Sequence, residues 1–91
     1  MSEQKIIMFS GKFCAPCKVA KPYMDDFCEK NNINLDYRLV ENCDERELDE
    51  FDIEAVPTLF LYKNDIQLRL LGWNNNVIEQ LHKFYNNEIN V

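Results

Sequence analysis

The chain has 91 residues, 46% of them hydrophobic and 12% aromatic, with ten Lys and Arg against sixteen Asp and Glu. That length suits one domain, residues 1–91, near the small end of what folds without staples. A net charge of −6 argues against nucleic acid as a partner, since phosphates are neutralised by Lys and Arg.

The opening Met1-Ser2-Glu3-Gln4-Lys5 is polar, and the apolar run after it, Ile6 to Phe9, is too short for a signal peptide or a membrane span. The expected location is therefore cytoplasmic, where structural disulfides are rare, and the four cysteines read first as working thiols or small core residues. Residues 5–9, apolar on both sides, predict a buried central strand. Ser10-Gly11-Lys12-Phe13 breaks the run, and Cys14-Ala15-Pro16-Cys17 follows. From residue 15 to about 31 the apolar positions Cys17, Ala20, Tyr23, Met24, Phe27 and Cys28 keep the three-and-four spacing of an amphipathic helix, with a kink expected at Pro22.

Residues 35–40 predict a second strand. Asp44 and Glu47 have the spacing of a capping box, ahead of a short helix with Leu48 and Phe51 inward and a solvated acidic face of Asp44, Glu45, Glu47, Asp49 and Glu50. Val56-Pro57-Thr58 opens a third strand over 59–62. Three residues, Lys63-Asn64-Asp65, then lead to a strand in which Ile66, Leu68 and Leu70 alternate with Gln67 and Arg69, the pattern of an edge with one wet face. Asn74 to Asn76 offer caps for a last helix that gathers Val77, Ile78, Leu81, Phe84 and Tyr85 on one side. The order β-α-β-α-β-β-α makes the first two strands parallel through a right-handed crossover and the last two an antiparallel hairpin. One four-stranded α/β sheet with helices on both faces then uses every apolar stripe.

In that arrangement the two thiols lie where the first strand ends and a helix begins. Unpaired first-turn N–H groups and the positive end of the helix dipole favour a thiolate there, and only the thiolate attacks a disulfide. The motif therefore points to redox chemistry on cysteine. Phe13-Cys14-Ala15-Pro16-Cys17-Lys18, Pro22, Val56-Pro57-Thr58 and Gly72, at these spacings, resemble the thioredoxin family over nearly the whole chain.

The resemblance implies a thioredoxin-like fold with strand order 2-1-3-4, trimmed of the family's usual first strand and helix to glutaredoxin size. It implies Cys14 as the exposed attacking thiolate and Cys17 as the buried resolving thiol. Substrate would bind along Phe13, Ala15, Pro16, Val56, Pro57 and Gly72, with Pro57 cis, Val56 backbone groups pairing with an extended segment, and Gly72 keeping a neighbouring turn slim. Implied partners are oxidised proteins with accessible disulfides and a thioredoxin-reductase-type enzyme, with a monomer expected and no metal or other cofactor. Three positions depart from the family pattern: Met8 stands where a buried Asp is usual, Arg38 matches its Lys partner, and Ala15 replaces a Gly.

Two other readings compete. A glutathione-dependent, glutaredoxin-like reductase fits the size, but that family has Thr-Val-Pro before the strand and a glycine pair that is absent around Gly72-Trp73. A non-catalytic thioredoxin-like binding module is the alternative of a different class. A zinc ribbon needs two close cysteine pairs, which Cys28 and Cys43 do not form. Cys28, eleven residues beyond Cys17 and about 16 Å along a helix axis, reads as core filler. Cys43 is expected on the dithiol's rim of the sheet, too far from Cys28 to bond. His82 is expected at a boundary without a partner, and Trp73 near the rim.

Overall fold

In the computed structural model, which describes residues 4–86, the apolar run forms β1 (Gln4–Ser10), with Ile6 to Ser10 all buried. A strand apolar on both sides is stable only between two strands and two layers. β1 pairs in parallel with β2 (Asn34–Leu39) and antiparallel with β3 (Thr58–Lys63), which pairs antiparallel with β4 (Ile66–Leu71). The sheet order is β2-β1-β3-β4, the order the resemblance implies.

Side chains alternate across β1, so its two apolar sets feed two cores. Ile6 and Met8 join Leu59 and Leu61 under α1 (Ala15–Lys30) and α3 (Asn75–Tyr85), where Ala20, Met24, Phe27, Val77 and Leu81 close the larger core. Ile7, Phe9 and Phe60 face the other way, against Leu48, Phe51 and Ile53 from α2 (Glu45–Glu50) and the loop after it. A six-residue helix cannot cover that face. Long cationic side chains extend the cover: Arg38 lies 5.6 Å from the Phe9 ring centroid and 5.5 Å from that of Phe51, Arg69 5.6 Å from Phe60, and the Lys5 ammonium 5.7 Å from Tyr62. In each case the charged head lies within cation–π range of a ring, so head and stem together cover apolar surface.

Local details differ from the sequence expectations in four places. Val40 leaves the second strand and opens a 3-10 turn, Val40–Asn42. Asp44 does cap α2, accepting the Glu47 N–H at 2.9 Å, but the Glu47 carboxylate turns away to Arg38 Nη1 at 2.6 Å, so only half of a capping box forms. A charge-assisted bond to a guanidinium outweighs one to a neutral amide. Lys63 pairs directly with Ile66, leaving a two-residue turn in which Asn64 takes the left-handed conformation, φ 57°, which suits Asn. Ile66 at that turn is 60% exposed, so the alternating stripe of β4 is half-buried at Leu68 and buried at Leu70. Pro22 lies inside α1, which spans Ala15 to Lys30 as its spacing predicts.

Asp36 and Arg38 are joined by two hydrogen bonds, of 3.2 and 2.8 Å. These bonds hold the Asp36 carboxyl below the usual carboxylate range. Its contribution to stability is thus fully present above the ordinary carboxylate value and is lost as pH falls through the folded one; acid titration of Asp36→Asn should show a shallower loss of stability at the acid end than the parent.

The Tyr85 hydroxyl ties the end of α3 to the sheet. It accepts the Tyr62 N–H at 3.1 Å, and the carbonyl oxygens of Lys5 and Tyr62, each 3.0 Å away, share its one proton. Burial pushes this phenol's pKa well up, keeping it a donor. Tyr85→Phe leaves the Tyr62 amide without that acceptor; we expect urea denaturation to show a loss of about 1–3 kcal/mol.

Candidate active site

β1 ends at buried Ser10 and α1 begins at Ala15, so residues 11–14 cross the sheet rim to place Cys14 at the helix cap. Cys14 has extended backbone, φ −102° and ψ 108°, and its sulfur accepts the Cys17 N–H at 3.2 Å. A sulfur thus occupies the place of the usual capping oxygen. In this position the helix dipole and a first-turn amide both stabilise negative charge on Cys14. Cys14 and Cys17 are joined as a disulfide with Cα atoms 5.2 Å apart. The two sulfurs differ in access: Cys14 is partly exposed and Cys17 is 1% exposed. An attacking group therefore meets Cys14 first.

The wall opposite is the turn before β3. The Val56-Pro57 bond is cis, and the Val56 carbonyl oxygen lies 3.7 Å from Cys14 Sγ. Pro57 is buried, and the Thr58 hydroxyl donates to the Ala55 carbonyl at 2.7 Å, bracing the turn. Gly72 donates its N–H to the Pro57 carbonyl at 2.8 Å, holding the end of β4 beside the same turn. Its backbone is left-handed, φ 82°, which calls for glycine. Space does not: a β-carbon there would meet Asn74 Nδ2 alone among the described residues, at 3.9 Å.

Exposed apolar side chains flank the disulfide. Phe13 is 91% exposed, Ala15 and Pro16 are exposed, and a cleft of about 250 Å³ lined by Val40, Leu48, Ile53, Glu54, Ala55 and Val56 adjoins Val56. The sequence reading located the sulfurs and their wall but passed over Glu41. Its carboxylate accepts the Lys12 N–H at 3.2 and 3.1 Å across the rim. The one sequence signal is an acid just after the strand parallel to β1.

Two expectations need correction. Arg38 does not stand beside Met8: the residue opposite Met8 is Tyr37, while Arg38 lies opposite Phe9. Met8 faces α1 and Arg38 faces α2, because a one-residue shift in register moves a side chain to the other face. Tyr37, on the Met8 side, donates to Ser10 Oγ at 3.0 Å. His82 is not partnerless: its Nε2 is 2.6 Å from the Tyr23 hydroxyl, and its ring stands edge-on to Phe27 at 4.9 Å. Trp73 packs against Tyr23, ring centroids 5.4 Å apart, beside Gly72.

The other cysteines are free thiols. Cys28 is buried in the larger core, and burial, helped by the nearby Asp25 charge, pushes its thiol up to about 11. Cys43 follows the 3-10 turn, donates to the Leu39 carbonyl at 3.3 Å, and is pushed up by burial and the Glu47 charge. In the reduced protein at pH 8, timed iodoacetamide labelling read by peptide mass spectrometry should modify Cys14 first, Cys43 more slowly and Cys28 last. Labelling of Cys28 ahead of Cys14 would contradict this assignment of environments.

The Thioredoxin family model matches residues 1–86. Thioredoxin H9 of Arabidopsis thaliana is 39% identical over 71 residues, covering 72% of this chain and 48% of that protein, so the chain spans about half the length of this curated relative. Oxidised thioredoxin from Plasmodium falciparum superposes with a TM-score of 0.74 at 26% identity, over 91% of this chain and 81% of that one. Thioredoxin O2 from Arabidopsis thaliana, also oxidised, gives a TM-score of 0.77 over 91% and 76% of the two chains; at 16% identity it speaks for the fold alone. With a capped, asymmetrically exposed cysteine pair set against a cis-proline turn, and with the family match running from residue 1 to residue 86, this chain belongs to the thioredoxin family.

Proposed function

We propose that the protein is a thiol–disulfide oxidoreductase that reduces disulfides in other proteins. The observation that carries this reading is the asymmetry of the pair: a part-exposed Cys14 sulfur at the cap of α1, 3.2 Å from the Cys17 amide, with Cys17 buried behind it.

In the reduced form the Cys14 thiolate attacks one sulfur of a substrate disulfide. The Cys14–substrate bond forms, the substrate S–S bond breaks, and the departing sulfur takes up a proton. Cys17 then loses its proton and attacks Cys14 Sγ, releasing the second substrate thiol and leaving the Cys14–Cys17 disulfide. Two electrons pass from the dithiol to the substrate, and a thioredoxin-reductase-type enzyme returns them. An extended substrate segment lies along Val56 and Pro57, whose wall stands 3.7 Å from the attacking sulfur, with Phe13, Ala15, Pro16 and Gly72 around it. Met8, an apolar side chain fully buried on the α1 face, offers no carboxylate for the Cys17 proton, so solvent or the leaving thiolate takes it. A cytoplasmic location, where the thiol pool is reducing, suits this direction of electron flow.

Insulin reduction driven by NADPH and thioredoxin reductase tests the activity. Turnover is expected from the parent and none above background from Cys14→Ser, while Cys17→Ser should accumulate mixed disulfides with substrate. Turnover with glutathione alone would favour the glutaredoxin-like reading instead, and undiminished cellular function of the double Cys→Ser variant would favour a binding module.

A further inference from the structure

The loop that delivers Cys14 has little to hold it. Lys12, Phe13, Ala15 and Pro16 are all exposed, Phe13 at 91%, so side-chain burial does not anchor the segment between Ser10 and Cys17. Among the described residues, the side chain that hydrogen-bonds its backbone from elsewhere in the chain is Glu41, twenty-nine positions from Lys12, with both carboxylate oxygens on the Lys12 amide at 3.2 and 3.1 Å. Glu41 projects from the 3-10 turn whose first residue, Val40, packs against the Ile7, Phe9 and Phe60 core, so the acceptor has a fixed base. The carboxylate is also close to the reacting residue. Above Gly11, the point a β-carbon would occupy lies 3.3 Å from Val56 Cγ2, 3.6 Å from Cys14 Cβ and 3.8 Å from Glu41 Oε2. Glu41, Cys14 and the Val56 wall thus meet around one glycine that leaves room for all three.

We propose that Glu41 is a positioning residue of the exchange reaction: by accepting the Lys12 amide it holds the β1–α1 loop so that Cys14 Sγ faces the Val56-Pro57 wall. The inference rests on the reading of Cys14 as the attacking sulfur. A carboxylate accepts more strongly than a neutral oxygen, and an attacking atom displaced by even a fraction of an ångström reacts more slowly. Glu41 itself touches no reacting atom; it acts through the backbone.

Two variants separate the acceptor from the charge. Glu41→Gln keeps an oxygen for the Lys12 amide, Glu41→Ala keeps none, and both lack the negative charge, so comparing them isolates the hydrogen bond. Glu41 is exposed, and both variants are expected to melt close to the parent. In the oxidised protein, hydrogen exchange of the Lys12 amide should quicken about five-fold in Glu41→Ala relative to Glu41→Gln, the equivalent of one hydrogen bond. Insulin reduction at one pH should be slower in Glu41→Ala than in Glu41→Gln by a similar factor of about five, with the Gln variant between the Ala variant and the parent in Lys12 protection. Equal rates for the two variants, with an active parent, would overturn the proposal while leaving the function intact. A parent with no reductase activity would remove the function and this role together. Slower reduction in Glu41→Ala without faster Lys12 exchange would also overturn it, since the loop would not be what Glu41 holds.

Discussion

A helix capped by sulfur is the constraint on which the rest of this structure turns. The first turn of α1 has amides that need an acceptor, and Cys14 Sγ supplies one to Cys17 at 3.2 Å. The same bond favours the ionised sulfur that nucleophilic attack requires. It also fixes the direction of approach, because Cys17 sits inside the helix and Cys14 at its open end. For a cap of this kind to exist, a strand must end and a helix begin within four residues, at a rim where solvent reaches the sulfur.

β1 meets that requirement by being buried on both faces. Its alternation sends Ile6 and Met8 under α1 and α3, and Ile7 and Phe9 toward α2. α1 is thereby seated directly over the strand that feeds it, and the Val56-Pro57 turn, reached through the neighbouring β3, arrives on the other side of Cys14. The face under short α2 is the less protected one. There Arg38, held by Asp36 and Glu47, lies over two phenylalanine rings. Its charge is satisfied laterally while its flat guanidinium covers apolar surface. Arg38 therefore serves packing on the face away from Met8.

Much of the architecture was legible because it rests on local periodicity. The continuous run Ile6 to Phe9, the three-and-four spacing through Met24 and Phe27, and the caps at Asp44 and Asn74 each act over a few residues, and each appears in the fold. The site was legible to the same extent: Cys14 and Cys17 sit three apart on one element, so their meeting needs no long-range fold. What escaped depended on pairs distant in sequence. Register decided that Tyr37, not Arg38, stands beside Met8. The Tyr23–His82 contact joins residues fifty-nine positions apart, and the Tyr85 hydroxyl reaches Lys5 across eighty.

The amino-acid sequence alone determined the order of elements, the pairing of Cys14 with Cys17 and the helix start that activates them, because each follows from contacts within one turn or one strand. Tertiary structure alone decided which face each β2 side chain occupies, that Glu47 turns to Arg38 instead of completing its cap, and that Glu41 grips the loop before Cys14. The reason is geometric. A strand shifted by one residue keeps its pattern of apolar and polar positions but exchanges the faces, and a side chain chooses among hydrogen-bond partners only once folding has brought the competing ones within reach.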